Sequence, residues 1–175
     1  MDVITQFVQR NAEFAEHGFH EELKIIPSLK TLIIGCVDPR VDPMDILKLQ
    51  PGEAAIIRNV GGRVNPSLFE TLKILSTVSK AGGLEVDKDW NLVVLQHTQC
   101  GINGCYHNAP ELLAPYMGVP LEQLDTKAIT DPHKAVAIDV DALRAHPVVG
   151  KNFTISGLVY DVATGLIETV VPPAA

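Results

Sequence analysis

Hydrophobic residues occur along the chain in short runs that predict the buried strands of a parallel sheet. Three such runs lie at residues 31–35, 54–58 and 92–96, and strands that are buried on both faces have this character. Between the last two runs, leucines at helical spacing follow Pro66 and predict a helix over residues 66–80. This strand–helix–strand order is typical of βαβ units. We therefore expect an α/β fold with a central, mostly parallel sheet flanked by helices.

Both ends of the chain add elements of a different kind. Apolar residues at helical spacing predict an amphipathic helix over residues 2–17, whose thin apolar stripe requires packing on its own domain or on a second subunit. Residues 109–145 predict three short helices, and residues 153–170 alternate around a turn, which predicts a strand and a hairpin-like edge. We expect a single domain over residues 1–175, divided into an N-terminal helical arm (1–30), a catalytic core (31–171) and a frayed Pro-Pro-Ala-Ala tail (172–175).

Composition narrows the possible partners. The 175 residues contain 14 Lys and Arg against 21 Asp and Glu, a formal charge of −7, and a net acidic surface repels nucleic-acid phosphates. Five Phe, three Tyr and one Trp leave few side chains on which bases could stack. The apolar runs are far shorter than the roughly 20 residues that a membrane helix needs. Three cysteines are too few for a disulfide scaffold and favour a reducing, cytoplasmic compartment. We expect neither a nucleic acid nor a membrane as partner.

Side chains capable of binding a metal follow two of the predicted strands. Cys36 comes directly after the first strand, and His97 and Cys100 come after the third. Because the carboxyl ends of parallel strands share one edge of the sheet, where α/β folds bind their ligands, we expect these side chains to meet. Two thiolates and an imidazole suit zinc, and three protein ligands leave one position open, as in catalytic sites. Alone, Cys36 would be interpreted as a small buried hydrophobe; the combination predicts a zinc site.

Asp38 and Arg40 would decide whether that open position is usable. Two thiolates and a neutral imidazole cancel the charge of Zn²⁺, so a bound water is activated less than on a three-histidine zinc. Asp38 could accept a hydrogen bond from the resulting hydroxide, or it could ligate zinc itself and block the site. Arg40 could hold Asp38 away from the metal through a planar, two-toothed ion pair. The alternative is an ion pair that only braces the loop.

The remaining ionisable residues are assigned structural roles. Cys105 follows Gly104 without a partner motif and is interpreted as a packed thiol. Asp139 and Asp141 are interpreted as part of an exposed helix face. Five further histidines are expected to be solvated or to cap helices: His17, His20, His107, His133 and His146.

The order and spacing of these residues resemble those of the β-class carbonic anhydrases over most of residues 31–165. The motifs that carry the resemblance are Cys36-x-Asp38-x-Arg40, Gln50-Pro51-Gly52-Glu53-Ala54, Arg58-Asn59-Val60-Gly61-Gly62, His97-x-x-Cys100-Gly101 and Tyr160-Asp161…Thr164-Gly165. The resemblance implies one Zn²⁺ per chain on the two cysteines and the histidine of these motifs. It also implies a catalytic dyad of Asp38 and Arg40, in which Asp38 becomes a zinc ligand in a closed form. Family members associate as dimers or dimers of dimers, with N-terminal helices embracing the neighbouring subunit.

The reaction that the resemblance implies is attack of zinc hydroxide on a small linear heterocumulene, with reversible hydration of carbon dioxide to bicarbonate as the first candidate. A neutral linear substrate needs an apolar slot, and we place Ala55, Asn59, Val60, Gly61 and Gly101 in that pocket. Plant-type members have phenylalanine where this chain has Ala55. A wider slot would suit the bulkier sulfur ends of carbonyl sulfide or carbon disulfide, which relatives with the same zinc ligands hydrolyse. A carbonyl sulfide hydrolase that releases hydrogen sulfide and carbon dioxide is therefore the alternative.

Two hypotheses lie outside this chemistry. The chain could be a non-catalytic module that zinc braces for oligomerisation or regulation. It could also be a thiol redox protein, although it has no Cys-x-x-Cys motif and two of its cysteines would be committed to metal.

Overall fold

A five-stranded sheet forms the centre of the protein in the computed structural model, which describes residues 2–83 and 89–174. The strands lie in the order β2-β1-β3-β4-β5; the first four are parallel, and β5 is antiparallel to β4. The predicted α/β fold is confirmed. The strands are β1 (Thr31–Cys36), β2 (Ala54–Asn59), β3 (Trp90–His97), β4 (Phe153–Tyr160) and β5 (Ile167–Ala174).

Helices connect and flank these strands. The spacing of apolar residues predicts the helices near residues 2–17, 66–80, 109–117 and 132–145, but not three short ones over Pro43–Ile46, Ile102–Asn108 and Val149–Asn152. Residues 121–129, predicted as an α-helix, form a 3-10 helix over Leu121–Lys127 that ends at Ala128 with φ 48°. The α-helices are α1 (Val3–His17), α2 (Pro43–Ile46), α3 (Pro66–Ala81), α4 (Ile102–Asn108), α5 (Pro110–Tyr116), α6 (Pro132–Ala145) and α7 (Val149–Asn152). Within the described residues, none of these helices has the length and apolar character needed to cross a membrane.

The main core lies between the sheet and two helices. Leu92 and Val94 of β3 are fully buried, and they pack in one cluster with side chains of α3 and α6 such as Leu72 and Val140. Gly157 of β4 permits the close approach of α6, because a Cβ there would lie 2.8 Å from a methyl group of Val136. This packing fixes the central strands, so the side chains that follow them are held by a rigid scaffold.

The C-terminal residues correct one prediction. Pro172 and Pro173 belong to β5, and Ala174 pairs with Ile155 of β4, so the prediction of a frayed tail is wrong for residues 172–174. Proline is tolerated there because β5 is an edge strand, where a missing N–H costs no ladder bond on the open side. Arg144 holds the segment by donating from Nη2 to the carbonyl oxygen of Pro172 at 3.0 Å. Ala175 lies outside the described residues.

Helix α1 forms as predicted but buries none of its residues within the chain. Asp2 caps it by accepting hydrogen bonds from the backbone N–H groups of Ile4 and Thr5, each at 3.0 Å. Of the two expected supports for its apolar stripe, packing on its own domain is therefore not seen among the described residues. The side chains of that stripe are 50 to 64% exposed: Val3, Ile4, Phe7, Val8 and Phe14.

Candidate metal centre

The sheet brings the predicted metal ligands to one edge. Cys36 is the last residue of β1 and His97 the last residue of β3, and these two strands are parallel neighbours. Cys100 lies in the turn between β3 and α4, where Gln99 adopts a left-handed conformation with φ 55°. This turn carries the chain back, so that a side chain three residues beyond His97 returns to the same edge.

The three donor atoms form a compact cluster. The Cys36 and Cys100 sulfurs and a His97 ring nitrogen lie within 4.8 Å of one another. The two sulfurs are 3.8 Å apart, and two sulfurs bound to tetrahedral zinc at about 2.3 Å would be separated by about 3.8 Å. The histidine, cysteine and acidic side chains of the described residues form one group whose donor atoms lie close enough to hold a metal ion, and this cluster is that group.

The ring of His97 is oriented for metal binding. Its Nδ1 lies 2.9 Å from the carbonyl oxygen of Thr98, and a carbonyl only accepts, so Nδ1 carries the hydrogen and Nε2 keeps its lone pair. His97 is 1% exposed, and its Nε2 is buried with no hydrogen-bond partner in the described part of the chain. A buried acceptor beside two thiols has the environment that a cation would satisfy, so these residues fit a zinc ion.

The short distance between the two sulfurs shifts the pKa values of Cys36 and Cys100 in opposite directions. The hydrogen bond from Cys100 lowers the pKa of Cys36, and backbone N–H groups of Asp38 and Gly61 also stabilise that thiolate. The same sulfur pair and burial raise the pKa of Cys100. The first thiolate therefore opposes formation of the second, and a divalent cation between them would remove that opposition and release protons.

The expected ion pair between Asp38 and Arg40 is present beside this cluster. Arg40 donates from Nε to Oδ1 of Asp38 at 3.0 Å and from Nη2 to Oδ2 at 2.7 Å. These hydrogen bonds lower the pKa of Asp38 to about 2. Arg40 Nη2 also donates to the carbonyl oxygen of Gln99 at 3.1 Å, which ties the dyad to the turn before Cys100. Asp38 thus faces the guanidinium and is not a member of the three-residue metal cluster among the described residues.

Arg58 braces the loop that carries the dyad, a role that sequence reasoning did not assign. It donates from Nε to the carbonyl oxygen of Cys36 at 2.8 Å and from Nη2 to that of Asp38 at 2.7 Å. Its third nitrogen, Nη1, contacts the carboxylate of Asp42, which caps α2. Arg58 lies in one of the motifs quoted above, but contacts between side chain and backbone carbonyl groups leave no pattern in a single sequence.

Of the five predicted pocket residues, Ala55 lies away from the cluster of its own chain. Gly61 lies against the Cys36 sulfur, and Asn59 pairs with Cys36 in the sheet. Ala55 is exposed and pairs with Leu32. It lies four residues before Asn59 on β2, so it is about 13 Å from the end of the strand beside the cluster. Val60 and Gly101 are also exposed. A small cleft beside the cluster is lined by Arg63, Gln96, His97, Gln99, Cys100, Ile102, Asn103, Ile129, Thr130 and Pro132.

Asp139 corrects a second prediction. It is 2% exposed rather than part of a solvated helix face, and it forms an ion pair with the equally buried Arg63. The helical spacing of α6 could not reveal this, because Arg63 is distant in sequence.

The interpretation of Cys105 as a packed thiol agrees with its half-buried position against the helical cluster of α4 and α5. His146 ends α6, as a capping histidine was expected to do, and stacks on Phe69.

Comparisons with known proteins give the same picture as the site. A sequence profile of the carbonic anhydrase family matches residues 31–167. Beta-carbonic anhydrase 1 of Mycobacterium tuberculosis (strain ATCC 25618 / H37Rv) is 27% identical over 173 residues, which cover 98% of this chain and all of the relative. The carbon disulfide hydrolase of Saccharolobus solfataricus is 26% identical over 187 residues, which cover 93% of this chain and 88% of that one.

Solved structures support the match. The carbonic anhydrase of Streptococcus mutans superposes with a TM-score of 0.72 and 28% identity, over 97% of this chain and 98% of that one. The profile, the relatives and the superposition all include the strands and turns that carry the cluster. The chain therefore belongs to the β-carbonic anhydrase family.

Proposed function

We propose that the chain catalyses the reversible hydration of carbon dioxide to bicarbonate, with one Zn²⁺ held by Cys36, His97 and Cys100. The observation that carries this proposal is the convergence of two cysteine sulfurs and one free imidazole nitrogen within 4.8 Å, beside a carboxylate fixed by a guanidinium. When bound there, zinc would supply a water of lowered pKa as nucleophile, in the position that three protein ligands leave open.

The residues of the chain set the charge around that position. The Cys36 and Cys100 thiolates balance both charges of the cation, so orientation of the nucleophile depends on a neighbouring acceptor. Asp38 is the carboxylate in place to accept that hydrogen bond, and Arg40 fixes its direction. Rotation of Asp38 away from Arg40 would bring its oxygens towards the cysteines and close the site. Both thiols must stay reduced to bind metal, which favours the cytoplasm.

Carbon dioxide suits the charge of the chain. A small neutral molecule needs no basic pocket to attract it, and this chain has a formal charge of −7. The proposed substrate is therefore compatible with an acidic surface.

Hydrolysis of carbonyl sulfide or carbon disulfide is the second candidate. The similarity to a carbon disulfide hydrolase over 93% of the chain favours it. These substrates have the same linear skeleton as carbon dioxide, with larger and softer sulfur ends.

Paired assays on the zinc-loaded protein separate the two. We expect rapid carbon dioxide hydration in stopped flow with a pH indicator, at a kcat/KM at least about tenfold above that for carbonyl sulfide followed by sulfide release. The same preparation carrying Cys100→Ser controls for uncatalysed rates. Negligible hydration together with fast sulfide release would reverse the order of the candidates.

Self-association is part of the proposal. Five apolar side chains of α1 are at least half exposed in the single chain, a larger apolar surface than a helix of this size leaves in water unless a partner covers it. We propose a second copy of this chain as that partner, in a homodimer or a dimer of dimers. Active sites at subunit boundaries would also supply the pocket walls that one chain does not bring together.

The double variant Phe7→Glu/Phe14→Glu should weaken this association. Two charges on the apolar face would have to be buried in the contact, so we expect the dimer dissociation constant to rise by at least about 100-fold. Sedimentation velocity over a concentration series measures it. Gln9→Glu, on the opposite face of α1, adds charge without touching the stripe and should leave the constant unchanged. A wild-type protein that sediments as a monomer at high concentration would contradict the proposal.

A further inference from the structure

A buried ion pair lies close to the metal cluster. Arg63 is 1% exposed and Asp139 2% exposed. Arg63 donates to the carboxylate of Asp139 from Nε at 2.7 Å and from Nη2 at 3.1 Å. The guanidinium is always protonated, so its burial requires the ionised carboxylate. Because the cost of desolvation offsets most of the attraction, a buried ion pair contributes little to stability compared with apolar side chains of similar volume.

On one side, the pair is connected to the strand end that carries Cys36. The backbone N–H of Arg63 donates to Oδ1 of Asn59 at 2.8 Å, and Asn59 Nδ2 donates back to the carbonyl oxygen of Arg63 at 2.8 Å. Asn59 is the sheet partner of Cys36. Between them, Gly62 packs so tightly that a Cβ would lie 2.9 Å from the backbone nitrogen of Cys36.

On the other side, the pair is connected to the strand end that carries His97. Gln96, the residue before His97, donates from Nε2 to the carbonyl oxygen of Gly62 at 2.8 Å and lies 3.4 Å from Oδ2 of Asp139. Asp139 also accepts from the backbone N–H of Val64 at 3.2 Å. Arg63 lines the same cleft as His97 and Cys100. The Arg63–Asp139 pair therefore connects the strand end that carries Cys36 with the strand end that carries His97.

We propose that Arg63 and Asp139 are positioning residues for the metal cluster. Their hydrogen bonds fix the spacing between the Cys36 strand end and the His97 strand end before the metal binds. A cluster held at the correct spacing loses less freedom on binding, and supporting residues of this kind commonly change metal affinity by about 10- to 100-fold. This inference rests on the proposed function, because it requires that the cluster binds zinc.

The double variant Arg63→Met/Asp139→Leu tests the role. It removes both buried charges together, so neither is left uncompensated. We expect the metal-free chain to stay folded in urea unfolding, with a loss of stability limited to the Val64 N–H that Asp139 no longer pairs. We expect the zinc dissociation constant, measured by competition with a chromophoric chelator, to rise about 10- to 100-fold. The visible spectrum of the Co²⁺-substituted protein should shift, since it reports the ligand geometry. The matched control is Lys30→Gln/Asp89→Asn, which removes an exposed ion pair at the amino-terminal edge of the sheet, away from the cluster.

Arg63→Lys provides a second variant if the double variant does not fold. It keeps the buried positive charge opposite Asp139 but cannot make both bonds of the guanidinium fork, so we expect zinc affinity to fall in the same direction. A folded variant with wild-type zinc affinity and an unchanged Co²⁺ spectrum would overturn the positioning role. If the wild-type chain itself binds no zinc, the proposed function and this role are both overturned, whereas an active wild type beside unaffected variants overturns only the positioning role.

Discussion

Replacing Arg40 with alanine is expected to reduce carbon dioxide hydration by about 100-fold or more while the chain keeps its metal. Arg40 directs both oxygens of Asp38, through contacts of 3.0 and 2.7 Å, and misplacing a group that orients a nucleophile costs rates of this order. Without the guanidinium, the carboxylate is free to turn towards the metal and occupy the position that the nucleophile needs.

The pKa of Asp38 separates the effect of position from the effect of charge. Arg40 holds that pKa near 2, and its removal should raise the pKa towards the ordinary value of 3.8. The stabilisation from this ion pair is present above pH 3.8 and is lost as the pH falls towards 2. Asp38 is ionised at neutral pH in both proteins, so a lower rate there reflects a misplaced carboxylate.

Stopped-flow hydration and zinc analysis of the same Arg40→Ala sample provide the measurement. Arg40→Lys is the matched control: it keeps the positive charge and loses the fork, so its rate should lie between those of wild type and Arg40→Ala. Unchanged turnover in Arg40→Ala would show that the ion pair only braces its loop, the alternative raised by the sequence.

Substitution of any one cluster residue should have the largest effect of all. For Cys36→Ser, His97→Ala and Cys100→Ser, we expect less than about a tenth of the wild-type zinc content after dialysis, and activity lower by on the order of 10³-fold or more. Each change leaves two protein ligands, which hold zinc far more weakly than three, and the nucleophile is lost with the metal.

Cys105→Ser is the control for these substitutions. Cys105 is a half-buried thiol outside the cluster; it lies in α4 and packs against apolar side chains of α4 and α5. Its substitution should leave zinc content and turnover unchanged. Full zinc content in Cys36→Ser, or loss of zinc in Cys105→Ser, would mean that the ligand set is wrong.

Much of the fold and of the site can be predicted from the sequence because both depend on local patterns. Short apolar runs identify strands buried on both faces. Since parallel strands end at a common edge, Cys36 and His97 could be placed near each other without knowledge of the register. The Asp38–Arg40 pair lies within three residues, so chain connectivity alone keeps the two side chains within reach of each other.

Other features depend on contacts that a single sequence does not encode locally. Asp139 looks like any acidic residue on an amphipathic helix, and its burial depends on Arg63, which precedes it by 76 residues. Pro172 and Pro173 predict the end of a strand, yet both belong to β5, because β5 is the edge strand of the sheet and proline is tolerated there. The family resemblance places Ala55 in the pocket, but its register on β2 puts it away from the cluster of its own chain.

X-ray absorption at the zinc edge, together with metal analysis of the purified protein, tests the central claim most directly. We expect about one zinc per chain, with two sulfur ligands near 2.3 Å and two nitrogen or oxygen ligands near 2.0 Å. A metal-free protein in which Cys36 and Cys100 form a disulfide, or a zinc shell without two sulfurs, would contradict the assignment of this cluster as a catalytic zinc site.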